Sequence, residues 1–311
     1  MPDSLVPTAK FVDPDITAKG ETRASVAWAG LKTLWFNTGT LCNISCANCY
    51  IESSPTNDRL VYLTRSDVEP YLDELTAPTE IGITGGEPFL APEIIGMFKA
   101  VLTRRHSLLV LTNAMRPMMR PRVHAGLVDL AGQFPGKMTL RVSLDSHDAA
   151  LHDAERGAGA FEEACKGLRW LADAGIGLAI AGRKALHEDE AAARAGYREL
   201  IAALGLGLDA DDPKQLVLFP EMIARDDPPE ITTACWGILN KAPESIMCAS
   251  QRMVVRRKGA PGPRVLACTL LVDDPAFDLG NTLAEATAAP VRLNHPWCAS
   301  FCVLGGASCS A

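Results

Sequence analysis

Cys42-Asn43-Ile44-Ser45-Cys46-Ala47-Asn48-Cys49-Tyr50 is the stretch on which the reading of this chain turns. It places three thiols in one short loop at the spacing Cys-x3-Cys-x2-Cys, one fewer than a closed zinc or iron-sulfur site uses. A 4Fe-4S cluster held by three cysteines keeps one iron open. An open metal position points to catalysis, where four protein ligands point to structure. The alternative for the loop alone is a zinc knuckle that draws its fourth ligand from elsewhere in the chain. An apolar, strand-like run at 32–36 precedes the loop, and a second at 80–84 ends in Gly85-Gly86-Glu87-Pro88. Glycine at that point lets backbone come close to a ligand, with the Glu87 carboxylate expected on the rim, an arrangement that suits a bound amine.

Outward from this stretch, strand-like runs alternate with helix-period segments from residue 30 to about residue 240, the pattern of repeated βα units and a parallel sheet. Six strands are expected, at 32–36, 80–84, 107–112, 138–144, 177–181 and 215–219, each followed by a helical stretch. Thr64 with Asp67 three residues later reads as a capping box that starts a helix over 68–75. The expected fold class is α/β: a partial (β/α)6 TIM-like barrel, short of the full eight units. Its chemistry would sit at the C-terminal strand ends, where the cysteine loop, the glycine turn and Asn113 all fall. In the fourth strand Leu140, Val142 and Leu144 share one face, while Arg141, Ser143 and Asp145 share the other. So polar an inner face suits ligand binding in a wide-mouthed barrel rather than a packed lumen.

Past residue 240 the pattern changes to two strand-like runs, 251–257 and 264–270, joined by Gly259-Ala260-Pro261-Gly262-Pro263 and read as a β-hairpin. Cys248 lies just before it and Cys268 near its end. Cys298 and Cys302 are four apart in an expected helix over 295–304, with Cys309 beyond. On an α-helix that spacing puts both thiols on one side, where they can share a metal site; a zinc ribbon is the alternative. The expected division is an N-terminal extension, 1–30, a barrel, 31–225, and a small hairpin-plus-helix extension, 226–311. Cys165 falls in the apolar pattern of a helix over 161–170 and is read as core. His106, His124, His147 and His187 lack metal spacing, and His295 is read as a helix cap.

Composition agrees with an enzyme of one main domain plus an appendage: 311 residues at 48% hydrophobic content can bury a sizeable core. There is no signal-peptide pattern and no apolar run near 18 residues, so the expected location is cytoplasmic with no membrane partner. In a reducing compartment, cysteines crowded into 42–49 and 235–309 mean metal or redox chemistry rather than a disulfide framework. A net charge of −7 argues against broad nucleic-acid binding, and the basic run Arg256, Arg257, Lys258 is read as a solvated hairpin.

The Cys-x3-Cys-x2-Cys loop followed by Gly-Gly-Glu-Pro at the end of the second strand resembles the radical S-adenosylmethionine (SAM) superfamily. The resemblance implies that Cys42, Cys46 and Cys49 hold a 4Fe-4S cluster whose open iron is chelated by the amino and carboxylate groups of SAM. Reductive cleavage would then yield a 5′-deoxyadenosyl radical that abstracts hydrogen from a substrate. Asn48 stands where many members carry an aromatic, but Tyr50 matches the subset with the aromatic after the last cysteine. Gly85, Gly86, Glu87 and Pro88 are implied at the SAM site, and Ser143 at its carboxylate. His152-Asp153-Ala154-Glu155-Arg156 resembles members in which an arginine reaches the same carboxylate, with one extra residue in the spacing; the alternative for Arg156 is a surface position. Ile180, with Gly182, partly resembles a Gly-x-Ile-x-Gly pattern that packs on adenine. The C-terminal cysteines resemble the auxiliary-cluster extensions called twitch and SPASM domains. That implies a second 4Fe-4S cluster on Cys248, Cys268, Cys298 and Cys302, with Cys309 or Cys235 competing for the last place. Implied partners are an electron donor such as flavodoxin or ferredoxin and a peptide or small-molecule substrate, for an oxidation or cross-linking reaction. With about 30 residues ahead of the barrel, a peptide would be expected to dock directly or through a separate partner. The second reading, from a different class, is a non-catalytic metal-binding interaction protein on the same scaffold.

Overall fold

The computed structural model describes residues 9–184, 188–220 and 227–305. After a short strand, Ser25–Val26 (β1), the chain runs through Thr33–Asn37 (β2), Arg65–Asp73 (α1), Glu80–Thr84 (β3), Ile94–Thr103 (α2), Ser107–Thr112 (β4) and Pro121–Gln133 (α3). It continues through Met138–Ser143 (β5), Ala149–Arg156 (α4), Ala160–Asp173 (α5), Gly177–Lys184 (β6), Glu190–Leu204 (α6) and Leu216–Pro220 (β7). Downstream come Cys235–Ile238 (α7), Gln251–Val255 (β8), Arg264–Leu266 (β9), Leu283–Ala286 (α8), Val291–Arg292 (β10) and a π-helical turn, Cys298–Val303. Among the described residues, eight strands form one sheet in the order β7-β6-β5-β4-β3-β2-β8-β9. Pairing is parallel from β7 to β8 and antiparallel only between β8 and β9. The fold is therefore mixed α/β on a parallel sheet, whose crossovers the helices supply. Among the described residues no helix is long and apolar enough to cross a membrane.

Local sequence explains the central strands. β2, Thr-Leu-Trp-Phe-Asn, is buried at every position, as expected where both faces of a sheet are covered. Trp35 sits in register with Gly82 on β3, and a Cβ at Gly82 would fall 2.2 Å from the indole, so glycine makes room for the ring. The same indole donates from Nε1 to Gln251 Oε1 of β8 at 2.8 Å, tying β8 to β2 from the side chains as well as the backbone. Helix α1 begins at the capping box read from sequence: Thr64 accepts from Asp67 N, and the Asp67 side chain accepts from Thr64 N. Cys165 is buried on α5, as are Ala164, Leu168 and Leu171.

A second, smaller apolar cluster gathers Ala24, Val26, Ile231, Ile246, Val291 and Leu293 around Cys248 and Cys298. The N-terminal segment is built into it: β1 pairs antiparallel with β10, and the buried Arg23–Glu230 ion pair, 2.5 Å, joins residues far apart in the chain. Several expectations need correction here. The run at 251–255 pairs antiparallel with β9 and also lies parallel along β2, so it extends the main sheet rather than belonging to a C-terminal extension alone. Its partner strand is three residues long, not seven, because Cys268 onward turns away. Strand β6 runs three residues past its expected end, to Lys184. The basic run is neutralised rather than merely solvated: Arg256 pairs with Asp67, Arg257 with Asp278 and Lys258 with Asp58. The segment around Cys298 is π-helical rather than α-helical, a form concentrated at functional sites. His187 and Cys309 lie outside the described residues.

Candidate functional site

Because β2 to β6 are parallel and in chain order, their C-terminal ends line one edge of the sheet, and the loops leaving them converge there. A cavity of ≈ 210 Å³ opens at that edge. Cys42, Cys46 and Cys49 form one wall with Tyr50, Gly85 and Gly86 stand beside them, and Ser143 and Asp145 come from the end of β5. Cys42 is buried, and that burial, followed by the acidic neighbours Glu87, Cys46 and Cys49, pushes its thiol up to about 12. Burial likewise raises Cys46. Such thiols are neutral in the metal-free chain, so binding a metal cluster releases protons. The Ser53 backbone N–H points at Cys49 Sγ at 3.2 Å, and Asn113 Nδ2 approaches Cys42 Sγ at 4.0 Å, both donors suited to a thiolate.

The glycine turn works differently from the expectation. Gly85 has φ +140°, and a Cβ there would meet Gly39 O at 2.7 Å; one on Gly86 would meet Leu41 O at 2.2 Å. The space the glycines leave on that side is filled by the stem of the cysteine loop. Gly86 N donates to Gly39 O at 2.8 Å and Glu87 N to Leu41 O at 3.1 Å. The turn therefore clamps the stem and presents only Gly85 and Gly86 to the cavity. Glu87 is not on the rim. Its carboxylate is buried and accepts from Phe89 N at 3.2 Å, Thr112 Oγ1 at 2.9 Å and Asn113 N at 2.9 Å, bracing the ends of β3 and β4. Burial outweighs those donors and raises its carboxyl to about 7. Pro88 begins the 3-10 turn that Glu87 caps, likewise away from the cavity.

Arg156 is no surface residue. Its side chain is 13% exposed and grips Asp145 with Nε–Oδ2 at 2.6 Å and Nη2–Oδ1 at 3.1 Å, so the fork is spent on protein rather than held open. The preceding Glu155 holds the cysteine loop, accepting from Ala47 N at its carbonyl, 2.8 Å, and from Asn48 Nδ2 at its carboxylate, 2.8 Å. Asn48 thus anchors the loop to α4. Ile180 does not line the cavity: it pairs in register with Val142, both fully buried in the main core, while the next pair, Ser143 and Ala181, faces the cavity. Cavity residues that the sequence reading did not single out include Arg183, Phe219, Met247, Leu270 and Phe301. For Arg183 a signal existed, since strand parity from Ala181 puts it on the same face.

The C-terminal thiols also gather. Cys248, Cys268, Cys298 and Cys302 surround a second cavity of ≈ 20 Å³, walled otherwise by apolar side chains such as Ile246 and Phe277. Burial first, then the neighbours Cys268, Cys302 and Cys248, push the Cys298 thiol well above its ordinary value. Cys235 is turned to Thr232 instead, 3.5 Å from its hydroxyl, and lies outside this wall. His295 caps the segment that follows, accepting from Trp297 N at Nδ1, 3.1 Å. Met247 and Cys302 line both cavities. Among the described residues no three His, Cys, Asp or Glu side chains are grouped tightly enough to hold a single metal ion. The fit of the Cys42, Cys46 and Cys49 site to an iron-sulfur cluster rests on thiol chemistry and a shared cavity wall.

A parallel βα sheet that carries three loop thiols after its first parallel strand and a glycine turn after its second defines a cluster-dependent class of α/β protein. The radical SAM superfamily model matches residues 36–194, just over half of the 311-residue chain, and the chain belongs to that superfamily. Its members are enzymes, and with membership come SAM and a 4Fe-4S cluster as cofactors. One relative, the antilisterial bacteriocin subtilosin biosynthesis protein AlbA of Bacillus subtilis (strain 168), is 32% identical over 143 residues, 45% of this chain and 30% of that protein. Mycofactocin maturase MftC of Mycobacterium ulcerans (strain Agy99) is 31% identical over 137 residues, 43% of this chain and 35% of that protein. The matched stretch thus spans about a third of either relative. In fold, the chain is similar to Streptococcus suis SuiB bound to S-adenosylmethionine, with a TM-score of 0.55 and 13% identity over 81% of this chain and 63% of that one. It is also similar to anSMEcpe with bound AdoMet, with a TM-score of 0.57 and 14% identity over 83% of this chain and 78% of that one.

Proposed function

We propose that this chain is a radical SAM enzyme that oxidises or cross-links a peptide, or modifies a smaller molecule of similar chemistry. Cys42, Cys46 and Cys49 hold the SAM-binding cluster, on a sheet that curves as a partial (β/α)6 barrel over 31–225. Cys248, Cys268, Cys298 and Cys302 hold an auxiliary cluster in a twitch- or SPASM-like extension over 226–311. When bound, SAM and its cluster supply a 5′-deoxyadenosyl radical that takes hydrogen from a substrate. The protein's own part is to bind, aim and shield. Gly85 and Gly86 leave backbone rather than side chain facing the cofactor, Ser143 offers a hydroxyl to its carboxylate, and Tyr50 covers the loop side of the cavity. The apolar side chains of Phe219, Leu270 and Phe301 keep water from the reacting region. A peptide substrate is supported by the matched stretches in AlbA and MftC, whose names describe bacteriocin biosynthesis and maturation. The reading includes a cytoplasmic location and a small electron donor such as flavodoxin or ferredoxin.

The observation that carries the reading is the cavity that Cys42, Cys46, Cys49, Gly85 and Ser143 share with Met247 and Cys302. A substrate in it would lie between the two thiol groups. The test is SAM cleavage by anaerobically reconstituted protein with dithionite. 5′-Deoxyadenosine is expected from wild type and none from the Cys42→Ala, Cys46→Ala, Cys49→Ala variant. Equal traces from both would leave a non-catalytic metal-binding scaffold.

A further inference from the structure

Among the described residues, no carboxylate answers the charge of Arg252 on β8. The residue is 2% exposed, and the ionisable neighbour that acts on it is the Cys248 thiol. Its Nε donates to Ala286 O at 2.9 Å, and its Nη1 to Cys248 O and Gln251 O, each at 2.7 Å. The Trp28 ring covers the guanidinium, with its centroid 4.1 Å away. Those partners satisfy donors without neutralising the charge, and burial lowers the guanidinium to about 10. Arg23, comparably buried, is by contrast paired with Glu230. A buried cation without a counter-ion costs free energy, so Arg252 favours an anion beside it. The thiol wall is the place for one: Cys248, whose carbonyl Arg252 holds, lines the second cavity with Cys268, Cys298 and Cys302. Thiols ligate metals as thiolates, and four of them around zinc or a 4Fe-4S core leave the centre net negative.

We infer that Arg252 is the built-in counter-charge of an anionic metal-thiolate centre on Cys248, Cys268, Cys298 and Cys302, favouring its assembly and raising its reduction potential. The inference rests on the reading of these four cysteines as one metal site. Arg252 acts through charge, as a positioning residue that touches the backbone of one ligand rather than the metal. Because β8 lies along β2 in the main sheet, the charge is fixed in place by the barrel rather than by the C-terminal segment. The Trp28 ring keeps water from screening it.

The experiment compares Arg252 with Arg252→Met, which removes the charge, and Arg252→Lys, which keeps it but loses the fork. One arm measures zinc affinity by chelator competition at fixed pH, in full-length chain carrying Cys42→Ala, Cys46→Ala and Cys49→Ala. The other measures midpoint potentials by EPR-monitored redox titration of anaerobically reconstituted holoprotein. A unit charge within about 10 Å biases each negative charge added in a protein interior by roughly tenfold. Arg252→Met is therefore expected to bind zinc about tenfold or more weakly. Its auxiliary midpoint should fall by about 60 mV, the one-electron equivalent of that factor, with the SAM-binding cluster unshifted. Arg252→Lys should stay near wild type in both arms. Values for Arg252→Met equal to wild type, or equal losses in the Met and Lys variants, overturn the inference, the second by reducing Arg252 to a structural role. About four irons in the wild-type holoprotein would strike the auxiliary-cluster reading alone, and the zinc arm then decides Arg252. A chain with Arg252 intact that binds no zinc at these thiols overturns both. Should Arg252→Met not fold, Trp28→Ala replaces it, leaving the charge in place but open to water. Zinc affinity is expected to fall by a smaller factor, and an affinity equal to wild type overturns the inference.

Discussion

Gly86→Ala is expected to lose the iron of the Cys42–Cys49 loop and to unfold at a temperature lower by roughly 6–12 °C, corresponding to about 3 kcal/mol. The added Cβ would lie 2.2 Å from Leu41 O, 2.6 Å from Leu41 C and 2.9 Å from Thr40 O, all backbone atoms. No rotamer relieves that contact. The stem of the cysteine loop must move away, and in moving it breaks the bonds from Gly86 N to Gly39 O and from Glu87 N to Leu41 O. The disturbance reaches Cys42 directly, because it is the next residue after Leu41. Gly96→Ala is the control: it lies in α2 with nothing within 4 Å of the added carbon. Removing a helical glycine is expected to stabilise by about 0.5–1 kcal/mol. Thermal denaturation and iron analysis of both variants check the pair. A Gly86→Ala protein as stable and as iron-rich as wild type would refute the clamp.

Asp145→Asn is expected to destabilise the protein by about 3–5 kcal/mol, because it leaves Arg156 and Arg183 together without the carboxylate that neutralises them. Asp145 is 8% and Arg156 13% exposed at the side chain, so solvent screens little of this interaction. Burial by itself would raise the Asp145 carboxyl, but the Arg156 charge and hydrogen bonds, helped by Arg183, hold it below its ordinary value. The sign of the pH effect follows. A carboxyl with a depressed folded-state pKa contributes stability that is present above its ordinary value near 3.8 and is lost as pH falls through the lower folded value. Wild type should therefore lose stability in that acid window, and Asp145→Asn should lose less there, having lost it already. Adding Arg156→Gln to Asp145→Asn should cost far less than Arg156→Gln costs alone. Urea denaturation of the four proteins measures this coupling, and additive losses would show that the pair is not a unit.

The parts legible in the sequence were those encoded locally. The cysteine loop, the glycine turn, the capping box at Thr64 and the amphipathic pattern that buries Cys165 all depend on residues a few positions apart. The strands were found for the same reason, since β2 to β4 keep largely buried apolar runs and β5 alternates apolar with polar residues. What stayed hidden depends on partners distant in sequence. Nothing near Gln251 signals that β8 will lie along β2, and nothing near Val26 signals a pairing with Val291. Ile180 was singled out from a partial motif match that also included Gly182; of the two, Gly182 lines the cavity and the Ile180 side chain is buried in the core. Its partner Val142 was read on the apolar face of the fourth strand, and parity across the pair puts the Ile180 side chain on that same face. Glu87 was misdirected because sequence places a carboxylate near a turn without telling which donors it meets. Three of them, on Thr112, Asn113 and Phe89, hold it away from the cavity.

The most direct test of the account is anaerobic iron and sulfide analysis, with EPR of the reduced protein with and without SAM. It is run on wild type and on the Cys42→Ala, Cys46→Ala, Cys49→Ala variant. The account predicts about eight irons in wild type, about four in the variant, and a cluster signal that SAM perturbs in the first and not in the second. Zinc in place of iron, or a wild-type signal indifferent to SAM, would contradict it.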